Sequence, residues 1–184
     1  MLQMEPFEIQ ILDREKWQNY MLDFAYTSDS YYNVAINQTP EGFSASFIKR
    51  PFAEPFVNPN TTFDKLYQPH WGGATAYGIV ENGALIAAIE TWAEEWSNRL
   101  RVTELWVDKT YHRRGIGTAL MNVAKEQARC QKRRAIILET QSCNTNAIAF
   151  YLSQGFTLIG FDACCYGNRD LDRHEVRMEM GFFL

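Results

Sequence analysis

Apolar and polar residues alternate along residues 6–12, Pro-Phe-Glu-Ile-Gln-Ile-Leu, a pattern that predicts a first strand. Asp13 stands where a helix cap belongs, and Trp17, Met21 and Phe24 recur at helical spacing, so a helix is expected over 14–24. From Thr27 to about Pro40 the chain turns polar, and the Tyr31-Tyr32 pair in it belongs either to the core or to the wall of a binding site. Residues 51–73 interleave Pro51, Pro55, Pro59 and Pro69 with Phe52, Phe56, Phe63, Tyr67 and Trp71. Proline suppresses regular structure while aromatic rings seek cover, so this stretch reads as an irregular loop or short helix. It either packs over a cleft or finishes the core.

Regular patterning resumes after Gly72-Gly73. Residues 74–81 and 84–92 read as strands joined by Asn82-Gly83, a type I′ hairpin signal, and a second turn near Ser97-Asn98 returns the chain through a strand at 100–107. A helix with the stripe Ile116, Leu120, Val123, Ala124 and Ala128 then runs to about Lys132. A short apolar strand at 135–139 follows, then a helix over about 146–153 with Asn144 or Thr145 as its cap and Gly155 as its end. Two closing strands, 156–165 and 174–183, flank a turn at Gly167-Asn168. The order is that of one α+β domain spanning 1–184.

The chain is organised around residues 107–128. Leu105-Trp106-Val107 is a short apolar run ending a strand, and the next helix begins just beyond His112-Arg113-Arg114-Gly115-Ile116-Gly117-Thr118, so two glycines sit on a strand-to-helix turn. Glycine lets successive backbone N–H groups approach an anion, and the helix start adds unpaired N–H groups and the positive end of its dipole. Arg113 and Arg114 place guanidinium groups beside them. A bland strand-helix turn accounts for two glycines equally well; neither a Walker loop nor a dinucleotide-binding Gly-x-Gly-x-x-Gly is present.

Charge and composition narrow the field. A net charge of −4, with its clearest basic clusters at Arg113-Arg114 and at the helix-ending Lys132-Arg133-Arg134, argues against a general nucleic-acid binder. The opening Met1-Leu-Gln-Met-Glu-Pro has neither a basic nor an apolar leader region and no run reaches membrane-spanning length, so a cytoplasmic protein without a membrane partner is expected. Cys130, Cys143, Cys164 and Cys165 lack paired spacing and read as reduced thiols. His70, His112 and His174 match no metal motif, so no metal is expected.

The loop resembles the acetyl-CoA loop of the GNAT N-acetyltransferase superfamily, Gln/Arg-x-x-Gly-x-Gly/Ala after a strand ending in Val-Asp. Gly115 and Gly117 match its last two positions and His112 occupies the Gln/Arg position. Downstream, Leu138-Glu139-Thr140-Gln141, Asn144, Phe150-Tyr151, Gly155-Phe156 and Gly160-Phe161-Asp162 resemble the C-terminal half of streptothricin acetyltransferases, which acetylate the β-lysine amine of a cationic antibiotic. The resemblance covers roughly residues 85–184. It implies the GNAT fold, a mixed central sheet of about six to seven strands flanked by about four helices, with acetyl-CoA as co-substrate. It further implies cofactor contacts from Leu105, Trp106, Val107, His112, Arg113, Arg114, Gly115, Ile116, Gly117, Thr118, Asn144, Asn146 and Tyr151. Backbone N–H groups near 105–107 would polarise the thioester carbonyl.

Acetyl transfer to an amine needs a neutral nucleophile and a proton for the leaving thiolate. An alkyl ammonium is unprotonated in only about one molecule in two thousand at pH 7, so a base helps. Glu104 is the candidate. Strand alternation gives Leu105 and Val107 one face and Glu104 and Trp106 the other, and if the first pair faces the core Glu104 faces the cleft; otherwise it is a solvated strand carboxylate. Tyr151 matches the family's acid, although without the resemblance it reads as a core aromatic. Glu90, Trp92, Glu94, Glu95 and Trp96, with Asp162, concentrate carboxylates and indoles suited to a cationic acceptor, or else form an ordinary charged hairpin end. The expected activity is direct acetyl transfer to a primary amine of a small cationic molecule, by a monomer or homodimer; rivals are a protein or polyamine acetyltransferase and a non-catalytic acyl-CoA-binding module.

Overall fold

The computed structural model describes residues 7–58 and 64–184 of the 184-residue chain. The expectations placed on Met1-Leu-Gln-Met-Glu-Pro and on Pro59 and Phe63 lie outside the described residues. The elements are β1 (Gln10–Ile11), α1 (Arg14–Trp17), β2 (Tyr26–Thr39), β3 (Gly42–Asn58), β4 (Thr75–Glu81), β5 (Ala84–Glu94), β6 (Arg99–Val107), α2 (Ile116–Cys130), β7 (Ala135–Gln141), α3 (Thr145–Ser153), β8 (Thr157–Asp162), α4 (Asp170–Arg173) and β9 (Arg177–Phe183). Seven strands form a mixed sheet in the order β1-β4-β5-β6-β7-β9-β8, and β2 and β3 form a separate ribbon. The expected α+β class, strand number and four helices are all present. The chain groups into two compact units: Met1–Phe24, Asn60–Ile137 and Phe183–Leu184 in one, Ala25–Pro59 and Leu138–Phe182 in the other, each through its described residues.

In the first unit β4, β5 and β6 form the antiparallel meander read from the sequence. Asn82 and Gly83 take the two left-handed positions, φ 50° and 82°, that a type I′ turn demands. One face is covered by α2, which buries Ile116, Leu120, Met121, Ala124 and Ala128. The other is covered by Leu12, Trp17, Leu22, Leu66 and Tyr67, which pack with Ala76, Leu85, Ala88 and Trp106. The helix expected over 14–24 is only Arg14–Trp17, capped by Asp13, whose side chain accepts from the Glu15 N–H at 2.8 Å. Past it Asn19 is left-handed (φ 64°) and donates to the Leu66 carbonyl, Leu66 donates to Tyr20, and Leu22 donates to Asp64. Extended pairing with 64–66 thus replaces two turns of helix, and Met21, expected on the core face, is exposed.

The ladder of β6 with β5 slips by one residue. Glu90 lies opposite Glu104 and Thr91 opposite Val102, leaving Thr103 as an extra residue. Opposed residues share a face, so Val102 lies on the Thr91 face whereas Glu104 and Trp106 lie on the face of Glu90 and Ala88. Thr91 Oγ1 donates to Gln127 of α2 at 2.8 Å, which identifies its face as the helix-covered one. The described pairing with β7 is parallel and joins Arg99↔Ala135, Leu100↔Ile136 and Arg101↔Ile137.

In the second unit the polar stretch from Thr27 forms β2, and the beginning of the proline-rich stretch, expected to be an irregular loop or short helix, pairs with it as part of β3. Proline is compatible with a two-stranded ribbon because each strand has an outward edge that needs no donor. Pro51 sits opposite Ser30, and the register then jumps to Ser28↔Phe56, so residues 52–55, including Pro55, stand outside the ladder opposite Asp29. The closing strands are shorter than expected, and α4 occupies part of the interval read as a turn.

Candidate active site

The strand-to-helix turn of the first unit has the geometry of an anion cradle. Gly115 is the N-cap residue of α2 at φ 78°, with no side chain to cap the helix and open space where a Cβ would sit. Its carbonyl receives the first intrahelical bond, from Ala119 N at 3.0 Å, so the N–H groups of Ile116 and Gly117 precede the hydrogen-bonded turns of the helix. No acidic residue lies in that first turn. Upstream, Arg113 adopts φ 60°, a left-handed conformation that turns successive amides inward. Arg114 donates to the Thr110 carbonyl at 3.1 Å and lies 4.9 Å over the Tyr111 ring, and the Tyr111 hydroxyl donates to Glu81. Asp108 accepts from Thr110 N at 2.8 Å and from its hydroxyl, bonds that hold its carboxyl below the usual range.

His112, at the position of the family's Gln/Arg, lies with Nε2 2.9 Å from the Val107 carbonyl. A carbonyl only accepts, so Nε2 carries the proton and the ring ties the loop back to the end of β6. Leu105 and Val107 are half-buried on the α2 face, opposite Ile89 and Ala87.

Glu104 is 7% exposed and Trp106 is buried beside it, with Nε1 donating to the Asp23 carbonyl at 2.9 Å. The less exposed pair is therefore Glu104 and Trp106, not Leu105 and Val107, and the solvated-carboxylate reading of Glu104 is corrected. The reason is that both faces of this sheet are covered. Glu90 is 0% exposed; its Oε2 accepts from Tyr67 N at 2.5 Å and its Oε1 from Thr103 Oγ1 at 2.8 Å. Burial pushes its carboxyl above the usual range despite these bonds.

Glu94 is also buried, but between Arg99 and Arg101. Arg99 Nε donates to Oε1 at 2.8 Å and Arg101 to Oε2 at 3.2 Å, with the Ser97 hydroxyl donating as well. Burial opposes ionisation, yet these donors hold Glu94 below the usual range. Trp92 packs against the core and donates from Nε1 to Gly72 at 2.9 Å, while Trp96 is 83% exposed beneath the Arg99 guanidinium. Glu95 grips Arg133 with both oxygens, at 2.7 and 2.6 Å. The expected acceptor cluster is thus dispersed: Glu90 is sealed and Glu94 and Glu95 are neutralised by arginines. Burial and pairing of that kind depend on Tyr67, Arg99 and Arg133, which no local pattern around 90–96 announces.

In the second unit Asn144 caps α3, accepting from Ala147 N at 3.2 Å, and Asn146 donates to the Thr27 carbonyl at 3.3 Å. Tyr151 is half-buried between Phe150 and Phe156, at ring separations of 5.6 and 6.1 Å. Asp162 is exposed and accepts from Cys164 N at 2.9 Å. Sequence reasoning left Tyr31 open and did not single out Cys143 or Ser28. Tyr31 stacks on His174 at 3.7 Å and packs against Phe52 at 4.6 Å. Tyr26 donates to Gln141 at 2.8 Å and meets the Cys143 sulfur at 3.2 Å, and burial pushes that thiol up to about 11. Ser28 and Ser30 both reach the Thr145 hydroxyl, at 3.1 and 2.9 Å. Polar residues at alternate strand positions are the one signal that pointed to them.

The acetyltransferase (GNAT) family model matches residues 45–156. Streptothricin acetyltransferase A of Bacillus subtilis is 27% identical over 125 residues, 67% of this chain and 71% of that protein. The crystal structure of a nourseothricin acetyltransferase superposes with a TM-score of 0.75 at 23% identity, over 96% of this chain and 98% of that one. A protein of Bacillus anthracis solved in complex with acetyl coenzyme A gives a TM-score of 0.73 at 20% identity, over 97% of this chain and 100% of that one. With the glycine-capped cradle, the strand that feeds it and a family match over more than half of its length, the chain belongs to the GNAT family of acetyltransferases.

Proposed function

We propose that this N-acetyltransferase moves the acetyl group of acetyl-CoA to a primary amine of a small cationic acceptor, streptothricin being the acceptor its relatives favour. The observation that carries the reading is the glycine-capped start of α2: Gly115, with no capping side chain, leaves the N–H groups of Ile116 and Gly117 and the helix dipole for the cofactor's pyrophosphate. His112, Arg113, Arg114, Ile116, Gly117 and Thr118 shape that cradle. The backbone of Leu105, Trp106 and Val107, whose described ladder is with β5 alone, offers hydrogen bonds to the pantetheine arm and the thioester. Asn144 and Asn146 belong to the cofactor side in this reading. The buried Glu104 takes the ammonium proton, the amine nitrogen attacks the thioester carbonyl, the C–S bond breaks as Tyr151 gives the leaving thiolate its proton, and the second proton lost by the nitrogen as the amide forms restores the Tyr151 phenol. Asp162 remains the exposed acceptor carboxylate. The chain acts as a single catalytic domain of the cytoplasm, where its four free thiols persist; no described helix is long and apolar enough to cross a membrane.

Purified protein with acetyl-CoA and a panel of streptothricin, spermidine, lysine, aminoglycosides and short peptides tests this through CoA thiol release. Turnover confined to streptothricin, with one acetyl on its β-lysine by mass spectrometry, is the expected result, and Tyr151→Phe lowers kcat by about 10²-fold. Turnover on peptides or polyamines alone discards the acceptor; inertness toward every amine discards the reaction.

A further inference from the structure

The distal half of the β2–β3 ribbon, within the second unit, carries one apolar face and one open edge. Opposed residues share a face and successive pairs alternate, which puts Val34↔Phe47, Ile36↔Ala45 and Gln38↔Phe43 on one side. Asn33↔Ile48, Ala35↔Ser46 and Asn37↔Ser44 lie on the other. The Phe47 ring meets Phe161 of β8 edge-on at 5.1 Å, but farther out Ile36 is 44% and Phe43 79% exposed. A two-stranded ribbon is marginal by itself and is stabilised by further strands. Its two edges differ. Tyr32 N donates to Ser142 O at 2.9 Å, and Ser28 and Ser30 reach the Thr145 hydroxyl, so the β2 edge rests on residues 142–145. Because Tyr32 N points away from β3, its partner Lys49 also turns its N–H and C=O outward, and alternation adds Phe43, Ala45, Phe47 and Pro51 to the outward set. Proline there forfeits no ribbon bond. Among the described residues nothing pairs with the outward edge of β3 from 43 to 49, and Ser44, Ala45, Ser46 and Lys49 are exposed. Such an edge is a template for another strand.

We propose that this edge takes the β3 edge of a second copy of the chain, antiparallel across a two-fold axis at Ala45, to form a four-stranded sheet. Charge and register select that occupant. An axis at Ala45 sets Ala45 opposite itself, Phe43 opposite the partner's Phe47, and Glu41, in the hairpin turn, level with the partner's Lys49, each twice by symmetry. Glu41 and Lys49 have no ion-pair partner among the described residues of their own chain. Moving the axis to Ser44 brings Glu41 to the partner's Phe47, and moving it to Ser46 brings Glu41 to the partner's Pro51. Both shifts break the two ion pairs, and the second puts a residue without an N–H into the ladder. The small residues Ser44, Ala45 and Ser46 occupy the crossing, where the two backbones approach. Val34, Ile36, Phe43 and Phe47 of both copies then share one face, with Phe43 covered by the partner's Phe47.

Sedimentation velocity of the whole chain over a concentration series tests this, with circular dichroism confirming that each variant folds. The wild type is dimeric by about 100 μM. Ala45→Pro removes the outward N–H at the axis and leaves the bonds to β2 in place, so it sediments as a monomer. Lys49→Glu sets like charges at both ends of the pairing and raises the dimer dissociation constant about tenfold or more. Glu41→Lys combined with Lys49→Glu exchanges the charges and returns the constant to within about threefold of wild type. Should Ala45→Pro not fold, the charge reversals decide alone. A wild type that stays monomeric at the same concentration overturns the proposal and leaves the face to a different occupant. A dimer that either Ala45→Pro or Lys49→Glu leaves untouched uses another surface and overturns it as well. Weakening by Lys49→Glu without recovery in the double variant overturns the register centred on Ala45.

Discussion

Glu90 and Glu94 stand four residues apart on one face of β5, both buried, and end in opposite electrostatic states. Glu94 faces Arg99 and Arg101 and its carboxyl is held below the ordinary range despite burial; burial pushes Glu90 above it, because the hydrogen bonds from its neutral donors do not offset the loss of water. Burial alone therefore says little about what a carboxylate does. Whether arginines stand against it decides whether burial is overcome, as at Glu94, or prevails, as at Glu90.

The largest expected effect separates the end of that face proposed to be catalytic from the bracing end. Glu104→Gln lowers kcat/KM by about 10²–10⁴-fold while the acetyl-CoA dissociation constant, read by calorimetry, stays within twofold. Glu94→Gln does the reverse: urea unfolding at pH 7 shows a loss of about 1–3 kcal/mol as Arg99 and Arg101 lose their partner, with kcat within twofold of wild type. The pH dependence sharpens the contrast. Glu94 has a lowered folded pKa, so its stabilisation is present above its unfolded value and is lost as pH falls through the folded one; the deficit of Glu94→Gln shrinks in acid. Glu90 has a raised folded pKa, so its contribution is present below its unfolded value and is lost as pH rises through the folded one, giving the opposite slope. Equal slopes for the two variants would erase the distinction. The smallest effect is expected at Trp96→Ala, within about 0.5 kcal/mol of wild type in the same unfolding measurement, because the indole is 83% exposed.

Features encoded within a few residues were legible from sequence. Asn82-Gly83 can only serve its hairpin, Gly115 its left-handed cap, Asn144 the start of α3 and Gly155 (φ 87°) its end. What was misread depends on partners far along the chain. The helix over 14–24 yields after one turn because 19–22 finds hydrogen bonds at 64–66, and the proline-rich stretch extends because it pairs with β2. The fates of Glu90 and Glu94 follow from Tyr67 and from two arginines on β6. The candidate site shows the same division: the loop was visible as a motif, whereas the side of β6 on which Glu104 lies depends on a ladder register.

The bulge at Thr103 has a consequence for how β6 can vary. Its buried residues, Leu100, Val102, Glu104 and Trp106, fall at every second position, as though on one face, yet the first two share the α2 face and the last two the opposite one. The strand behaves like a two-letter reading frame that is shifted once, at residue 103. Removing Thr103 would straighten the ladder and leave Glu104 and Trp106 on their present face, whereas taking Thr103 into the ladder opposite Glu90 would carry Glu104 and Trp106 under α2 and move Leu105 and Val107 to the opposite face. It is the bulge, not the apolar pattern of β6, that decides which side of the sheet Glu104 and Trp106 occupy.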